Sequence, residues 1–350
     1  MKTLSLSILL IVITALNASA APAKIGIITD MSGPMAFWGQ QTRLGAEIAR
    51  DELAAQGRDL VLVFGDHQLQ PKNAVSEAQK MINIDKVDAI FSDFTGPSIA
   101  AAPLAREAGV LFLYSAVAVS ALSANPDAFK TFLDYRLACR IVTDYWKNNG
   151  IQRIGMLKPN TEFGELCLRG AQAADENVSF EAFDPGDEVR TQILALKARK
   201  VQAIINPGYE PDHLRMFKAL QSYQYFPLIS MQEDDISPAS KNAYPELMKL
   251  ATFFGFESVS PRLHEILIER GGALSLHSEV PAGLSYLHIG QIYSALSSCQ
   301  PGDVKCLKTA MMASPADSNL GFSGWKDRVA QFAVPLKRWE NGQSVKITYR

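Results

Sequence analysis

The chain has 350 residues, of which 47% are hydrophobic and 20% charged, and its formal net charge is −2. This composition is typical of a globular protein and argues against a disordered or fibrous one. A nearly neutral chain without a basic stretch is a poor partner for nucleic acid or for an anionic membrane surface. Without a leader peptide, roughly 330 residues remain, which is too many for one ordinary core and predicts two domains.

The first twenty residues predict a secretory signal peptide. Lys2 supplies a positive start, residues 4–16 form an uncharged apolar run, and Ala18-Ser19-Ala20 provides the small residues of a cleavage site. The apolar run is shorter than the ~20 residues that a membrane-spanning helix needs. We therefore expect residues 1–20 to be removed and the mature protein to work in the periplasm, without insertion into the membrane.

Short apolar runs then alternate with amphipathic stretches. The first series has predicted strands at 24–29, 60–65, 87–92 and 110–115, with helices at 35–56, 71–84 and 97–108. The second series has predicted strands at 153–158, 178–183, 201–206 and 226–231, with helices at 163–176, 189–199 and 211–224. Nearly continuous apolar strands joined by crossover helices indicate parallel sheets covered on both faces. Two such series predict an α/β protein of two doubly wound lobes.

The last hundred residues have a different pattern. A strand is predicted at 250–256, helices at 261–271 and 281–299, and strands at 331–339 and 343–349 around the hairpin signal Asn341-Gly342. We expect the chain to return to the first lobe and cross again, so that lobe 1 comprises 21–133 plus 257–330 and lobe 2 comprises 134–256 plus 331–350. Crossings near 133–135, 254–257 and 329–332 would form a three-segment hinge, and hinge closure is a common ligand-binding motion.

The four cysteines are too few for a disulfide scaffold, but export would place them where disulfides persist. Cys299 and Cys306 are seven residues apart around Pro301-Gly302, a spacing that can close a small loop. We predict a disulfide between them. Cys139 and Cys167 fall on two predicted helices, and the sequence leaves their state open.

Ligands of parallel α/β sheets bind beyond the carboxyl ends of the strands. This rule selects the loops at 32–39, 93–98 and 115–118 in the first lobe, and at 160–163, 208–210 and 232–235 in the second. The loop at 93–98 runs into a helix whose free N–H groups suit an anion. Each loop could equally be an ordinary turn that does not contact a ligand, and its aromatic residues could belong to the hydrophobic core. The acidic turn at 233–235 could be a solvated one.

Motifs of catalysis are missing from the sequence. It contains no G-x-S-x-G, H-E-x-x-H, G-x-x-x-x-G-K-[ST] or G-x-G-x-x-G pattern, and its five histidines lack metal-ligand spacing. We therefore predict a protein that is not an enzyme, with no catalytic residue, no metal and no cofactor.

Taken together, these features resemble the periplasmic binding proteins of branched-chain amino acid ABC transporters, the leucine/isoleucine/valine-binding family with the type I periplasmic fold. Residues 25–53 match the family's strand, S-G-P, W-G and helix with an early glycine, here Gly45. Residues 61–84 resemble its second βα unit, 88–115 its third and fourth strands, and 153–231 its second lobe. The resemblance weakens after about residue 261.

The resemblance implies a set of ligand-binding residues. Trp38 matches the aromatic residue that covers the ligand, and Thr95 matches the hydroxyl residue that holds a carboxylate together with nearby backbone N–H groups such as that of Gly96. Ala116 falls where the family offers a carbonyl to the ligand's ammonium group, and Glu233 matches the acidic residue that pairs with this group. The remaining matches are cleft positions on the second lobe: Asp134, Phe163 and Tyr209.

Three departures from the family pattern leave the ligand open. Ala118 stands where the family usually has a serine or threonine, which removes a polar contact worth about 0.5–1.5 kcal/mol. Phe94 stands where some members have a disulfide cysteine, and Tyr135-Arg136 adds a bulky, cationic element beside the cleft. The ligand therefore need not be leucine, or even an amino acid.

The resemblance implies a monomeric solute receptor that captures a small polar molecule and delivers it to an ABC permease in the inner membrane. The alternative is a sensory module that uses the same fold to report a ligand to a signalling partner. An exported hydrolase is disfavoured by the missing motifs.

Overall fold

The computed structural model describes residues 22–271 and 276–348, so the predicted signal peptide lies outside the described residues. The chain forms two lobes, each built on a seven-stranded and mostly parallel sheet flanked by helices. The predicted fold class, a two-lobed α/β protein, is confirmed. No helix of the described residues has the length and apolarity that a membrane crossing requires.

The first lobe begins with five parallel strands. Its elements so far are β1 (Ala23–Thr29), α1 (Ala36–Ala55), β2 (Leu60–Asp66), α2 (Pro71–Lys80), β3 (Ala89–Asp93), α3 (Thr95–Glu107), β4 (Leu111–Ser115), α4 (Ser120–Ala124) and β5 (Phe129–Thr131). A π-helical turn, Met81–Asp85, continues α2. Strand β1 lies between β2 and β3, with Ile27 in register with Phe64 and Phe91. The apolar runs became strands because β1, β3 and β4 are buried in the middle of the sheet.

The second lobe repeats this arrangement. Its elements are α5 (Tyr135–Asn148), β6 (Ile154–Pro159), α6 (Glu162–Ala174), β7 (Ser179–Phe183), α7 (Arg190–Ala198), β8 (Ala203–Ile205), α8 (Glu210–Ser222), β9 (Leu228–Gln232), α9 (Pro238–Ala243), α10 (Pro245–Met248) and β10 (Ala251–Phe254). Strands β6 to β10 are parallel, in the order β10-β9-β8-β6-β7.

The chain then returns to the first lobe and crosses back. The returning elements are α11 (Pro261–Glu269), α12 (Leu276–Ser298), α13 (Val304–Met312), β11 (Phe322–Lys326), β12 (Val329–Phe332), β13 (Leu336–Glu340) and β14 (Gln343–Lys346). Strands β11 and β12 extend the first sheet, whereas β13 and β14 form an antiparallel edge of the second. Helix α12 packs against α1, where Gly45 allows close contact with the carbonyl of Ala282.

The single strand predicted at 331–339 is wrong, because the chain divides there into β12 and β13. Residues 333–335 connect the two sheets, and Pro335 has no N–H with which to continue a ladder. The third crossing therefore follows β12 rather than lying at 329–332. The predicted lobe boundary between 330 and 331 falls inside β12.

Two disulfides are present. Cys299 and Cys306 are joined across the Pro301-Gly302 turn, and Cys139 and Cys167 are joined between helices α5 and α6. The second bridge is fully buried. It fixes the two helices whose first turns carry Tyr135 and Phe163, and these rings are in contact in the cleft, with centroids 6.4 Å apart.

Candidate functional site

The carboxyl ends of both parallel sheets point towards a cleft between the lobes. At its centre is a small cavity of about 20 Å³, referred to below as the aromatic cavity. Nine residues line it: Trp38, Phe94, Ser115, Ala116, Val117, Phe132, Tyr135, Tyr209 and Asp235. Six of them lie in loops that follow β3, β4, β5, β8 and β9, which is where ligands of such sheets are expected. Trp38 and Tyr135 lie in the first turns of α1 and α5, and Ser115 ends β4.

The rings of the aromatic cavity are in contact across the two lobes. In the first lobe, the ring centroid of Trp38 lies 5.8 Å from that of Phe94 and 6.1 Å from that of Phe132. Phe94 reaches the second lobe, where its centroid lies 6.2 Å from that of Tyr209. These separations are typical of favourable aromatic pairs. The two lobes are therefore closed onto each other, with aromatic side chains in contact between them.

Phe94 has an unusual backbone conformation. It stands between β3 and α3 with φ 59° and ψ 148°, in a region that side-chain-bearing residues rarely adopt. Such conformations cost about 1–3 kcal/mol and persist only where the surroundings enforce them, often at functional sites. The strained turn places the ring of Phe94 in the cavity wall, although the sequence marked this residue only as a departure from a family cysteine.

Asp235 is the carboxylate of the aromatic cavity. Its residue is 5% exposed, and Tyr135 donates a hydrogen bond from its hydroxyl to Oδ2 at 3.4 Å. Burial and the neighbouring Asp234 raise the pKa of Asp235 well above its ordinary value. A carboxylate held in this way, without a cation in the cavity, would be stabilised by a positively charged ligand.

Glu233, the acid selected from the sequence, faces away from the aromatic cavity. Its carboxylate lies 3.5 Å from Nζ of Lys241 and 3.1 Å from Nζ of Lys337, and all three side chains are buried. Lys337 also donates to the carbonyl of Phe256 at 2.7 Å, which ties β13 to the second crossing. Glu233 thus compensates two buried lysines beside the hinge, while the opposite side of the same turn presents Asp235 to the cleft.

The structure brings some of the other predicted residues into the cavity wall and leaves others outside it. Trp38, Ala116 and Tyr209 line the cavity. Phe163 lies directly behind the wall, with its ring centroid 5.3 Å from that of Tyr209. Ala118 is buried beside the cavity, and its carbonyl accepts a hydrogen bond from Tyr114.

Thr95, Gly96 and Asp134 are not part of the cavity wall. Thr95 begins α3 and is half-buried, while Gly96 is exposed with its Cβ position 3.4 Å from Pro71. Asp134 caps α5 by accepting from the backbone N–H of Arg136, and it also pairs with the guanidinium group of Arg136. Its partner is therefore supplied by its own helix.

A buried network lies beneath Phe94. Asp93 accepts hydrogen bonds from the Thr29 hydroxyl and from Nε2 of His67, the latter at 2.8 Å. The backbone N–H of Leu69 donates to Nδ1 of His67 at 3.0 Å. This places the imidazole proton on Nε2 and leaves Asp93 as an acceptor. The ring of Phe94 meets that of His67 edge-on, with centroids 5.8 Å apart, so the network supports the strained turn from below.

The lobes are also joined at the rim of the cleft. Glu162, the first residue of α6, accepts hydrogen bonds from the backbone N–H groups of Val119 and Ser120 at 2.8 and 3.2 Å, and from the Ser120 hydroxyl. These donors begin α4 on the opposite lobe. We call this contact the Glu162 latch, since it joins α6 of the second lobe to the start of α4 in the first.

Five residues line the wall but were not predicted as site residues: Phe94, Ser115, Val117, Phe132 and Asp235. Tyr135 was expected only as a bulky element beside the cleft. Phe94 and Phe132 each follow the last residue of a buried strand by one position, which is a usable signal, but β5 is too short to have been predicted. Within residues 22–271 and 276–348, no group of three or more histidine, cysteine, aspartate or glutamate side chains is arranged to hold a metal ion.

Comparison with known sequences gives a consistent result. A family model described as periplasmic binding protein matches residues 22–257. A Leu/Ile/Val-binding protein homolog 7 from Brucella abortus is 27% identical over 241 residues, which is 61% of this chain and 60% of that protein. A Leu/Ile/Val/Thr-binding protein from Salmonella typhimurium is 26% identical over 56% of this chain and 57% of its own length. The matches therefore span somewhat over half the length of these curated relatives.

Solved structures share the whole architecture. A leucine-binding protein from Thermotoga maritima superposes with a TM-score of 0.80 over 93% of this chain and 98% of its own, at 17% identity. A substrate-binding protein of the branched-chain amino acid transporter of Streptococcus pneumoniae, in complex with isoleucine, gives a TM-score of 0.77 over 93% and 100%, at 18% identity. With the two-lobed fold and the match over residues 22–257, this chain belongs to the periplasmic binding protein family.

Proposed function

We propose that this protein is an extracytoplasmic solute-binding protein of an ABC transporter. It captures a small polar ligand, an amino acid or a related compound, between its lobes by hinge closure and delivers it to a permease in the inner membrane. Residues 1–20 direct it to the periplasm and are removed there, and the mature monomer acts as a receptor rather than an enzyme.

The observation that carries this proposal is the aromatic cavity itself. It is enclosed by rings from both lobes, it lies at the carboxyl ends of both sheets, and it contains one buried carboxylate, Asp235. A ligand bound there touches both lobes at once and so stabilises the closed arrangement over an open one, as population shift requires. Three crossings of the chain at the base of the cleft supply the hinge.

The proposal assigns roles to the wall residues. Trp38 covers the ligand from the first lobe, Tyr209 covers it from the second, and Phe163 supports Tyr209 from behind. The carbonyl of Ala116 accepts from a ligand donor, and Asp235 takes the charge-pairing role that the resemblance gave to Glu233. The remaining predicted residues do not contact the ligand and act only by shaping the neighbouring loops: Thr95, Gly96, Ala118 and Asp134.

A thermal-shift screen of residues 21–350 against amino acids, amides, small acids, amines and polyamines tests this function. A ligand that binds only the folded state raises the melting temperature, and calorimetry then gives its affinity. We expect at least one class to bind in a one-to-one ratio and to be recovered unchanged after prolonged incubation. Conversion of the ligand would contradict the receptor assignment.

Two variants locate the binding in the cleft. Trp38→Ala should abolish the thermal shift, because it removes a ring from the cavity wall. Phe226→Ala is the matched control, since Phe226 is a 52% exposed aromatic residue remote from the cavity wall. The proposal fails if the two variants bind equally well. Delivery is tested by uptake of the identified ligand in cells that lack the gene, which should be restored by the intact gene and not by the Trp38→Ala form.

A further inference from the structure

We propose that the ligand of this receptor is an organic ammonium ion that lacks a carboxylate group, such as an amine or a quaternary ammonium compound with a small apolar body. This inference rests on the proposed function, because it names the chemical class that the cleft recognises. It departs from the amino acids to which the similar proteins' names refer.

The first argument is the charge of the cavity wall. Among the nine residues that line the aromatic cavity in the described part of the chain, Asp235 is the sole charged one, and no lysine, arginine or histidine is present. An α-amino acid carries a carboxylate that needs donors or a cation when it leaves water. In this cavity that carboxylate would meet a carboxylate of the same sign and no cation.

The second argument is that basic side chains around the cleft are already engaged, beginning with His67, which pairs with Asp93 beneath Phe94. Lys241 and Lys337 pair with Glu233 on the other side of the turn, and Arg136 pairs with Asp134. Buried Lys130 donates from Nζ to the carbonyl of Phe132 at 3.2 Å. None of these groups lines the cavity, so none is placed to bind an anionic end of a ligand.

The third argument concerns the sites that the family resemblance assigned to a carboxylate. Thr95 and Gly96 lie outside the cavity wall, and the side chain of Phe94 occupies the wall next to them. Ala118 offers no hydroxyl. Besides Asp235, the polar side-chain groups of the lining residues are the indole N–H of Trp38 and the hydroxyls of Tyr135, Tyr209 and Ser115. The Ser115 hydroxyl is buried and makes no hydrogen bond within the described residues.

The fourth argument is the density of aromatic rings. Five of the nine lining residues are aromatic, and they come from both lobes. A cation near ring faces, within about 6 Å of their centroids, is attracted by the ring quadrupole, and more strongly when both are shielded from water. Rings around a single buried carboxylate therefore favour a cation whose surface is partly apolar. Ser115 and the tyrosines can accept or donate hydrogen bonds to a small polar substituent.

Two matched pairs of probes test the inference by isothermal titration calorimetry. Leucine and 3-methylbutylamine differ only in the carboxylate. Choline and 3,3-dimethyl-1-butanol have the same shape but differ in charge. We expect the amine to bind at least tenfold more tightly than leucine, and choline at least tenfold more tightly than its neutral analogue.

Asp235→Asn keeps the size of the side chain and removes its charge. We expect it to weaken binding of the cationic probes at least 100-fold while changing binding of 3,3-dimethyl-1-butanol less than threefold. The matched control is Glu188→Gln, which removes an exposed carboxylate from the same lobe and should leave every affinity unchanged. Near-UV circular dichroism checks that each variant is folded, and retained binding of the neutral probe serves the same purpose.

The outcomes separate the inference from the proposed function. Tighter binding of leucine or of another carboxylate than of the amine overturns the inference and leaves the receptor function standing. Equal binding of choline and its neutral analogue, or unchanged binding in Asp235→Asn, overturns it as well. If no compound of any class binds at the cleft, both the inference and the proposed function fail.

Discussion

The two lobes contribute different chemistry to the same cavity. Lobe 1 supplies three rings, two aliphatic residues and the Ser115 hydroxyl, which has no hydrogen-bond partner in the described part of the chain, and its lining residues bring no charge. Lobe 2 supplies two phenol rings and the buried carboxylate of Asp235. The comparison suggests that lobe 1 selects the shape of the ligand and lobe 2 its charge. A ligand with the right shape and the wrong charge would then bind to lobe 1, but lobe 2 would not close over it.

The largest expected effect is a difference in stability between variants of Glu233 and Asp235, the two acids that face opposite sides of one turn in lobe 2. Glu233→Gln should lower the free energy of unfolding by about 3–5 kcal/mol, because it leaves two buried lysines without their counter-charge. Asp235→Asn should leave the free energy of unfolding unchanged or raise it, because Asp235 has no cationic partner within residues 22–271 and 276–348 and is repelled by Asp234. Urea denaturation at pH 7.5 measures both.

Glu246→Gln is the matched control for this pair, since Glu246 is exposed and paired only with Lys249. Its unfolding free energy should stay within about 0.5 kcal/mol of the unsubstituted protein. If Glu233→Gln is equally mild, Glu233 does not hold the lysines. If Asp235→Asn is as destabilising as Glu233→Gln, the division of the turn into a structural and a binding side is mistaken.

The second prediction concerns pH. Burial, together with Asp234, raises the pKa of Asp235 above its ordinary value of 3.8, and burial raises the pKa of Asp234 to about 7. A carboxyl group with a higher pKa in the folded state holds its proton more tightly there, so its contribution to stability is present at low pH and falls as pH rises. We expect this fall to begin near the ordinary pKa of 3.8 and, for Asp234, to end near pH 7.

Asp235→Asn should flatten this fall, which is measured by repeating the unfolding experiment across the same pH range. The slope cannot exceed about 1.4 kcal/mol per pH unit for each proton. His213 acts in the opposite direction, since burial lowers its pKa to about 3, but it is present in both proteins and cancels in the difference. Parallel curves for the two proteins would mean that Asp235 is charged and compensated in the free protein.

The sheets could be predicted from the sequence more completely than the residues of the aromatic cavity. The central strands of both series were predicted because each is a buried apolar run, and burial on both faces leaves a clear pattern. The edge strands β2 and β7 are only partly buried. The short strand β5 and the division at 333–335 were not predicted. Their limits depend on pairing with distant strands, as when Val329 pairs with Lys130, and no local pattern records such a pairing.

The site was predicted to the level of loops, but not always to the correct side chain. The loop at 232–235 was selected, yet the choice between Glu233 and Asp235 depends on Lys241 and Lys337, which pack against only one side of the turn. Likewise, the loop at 93–98 was selected, but the ring of Phe94 enters the cavity only through a backbone conformation that its residue type disfavours. A local strain enforced by tertiary packing cannot be predicted from residue preferences.

The third prediction tests that strain in lobe 1. Phe94→Ala and Phe94→Gly both remove the ring, but only glycine adopts φ 59° and ψ 148° without cost. We expect the glycine variant to be the more stable of the two by about 1 kcal/mol, since the relief of about 1–3 kcal/mol exceeds the usual cost of glycine of about 0.5–1 kcal/mol. Both variants should lose ligand binding.

The same two substitutions at Phe180 provide the control. Phe180 lies in strand β7, is 42% exposed, and is not among the residues with positive φ. There the alanine variant should be the more stable one, by about 0.5–1 kcal/mol. If alanine is also the better residue at position 94, the turn relaxes when the ring is removed and stores no strain.

The smallest expected effect concerns the contact that joins the lobes without touching the ligand. Glu162→Gln should weaken the Glu162 latch, because a neutral amide oxygen replaces a carboxylate that accepts from Val119 and Ser120. In the proposed hinge motion these bonds would break when the lobes separate, so their loss penalises closure and not folding of either lobe. A loss of about 0.5–1.5 kcal/mol corresponds to an increase of roughly two- to tenfold in the dissociation constant of the ligand.

Glu165→Gln is the matched control, because Glu165 lies one turn further on the same helix and pairs with Lys158 within lobe 2. Both variants lose a negative charge from the first turn of α6 and so lose the same interaction with the helix dipole. Calorimetry should therefore show weaker ligand binding for Glu162→Gln than for Glu165→Gln. Small-angle scattering at a subsaturating ligand concentration should give a larger radius of gyration for Glu162→Gln alone. If the two variants behave alike, closure is driven entirely by contacts in the aromatic cavity, and the charge of lobe 2 acts only through Asp235.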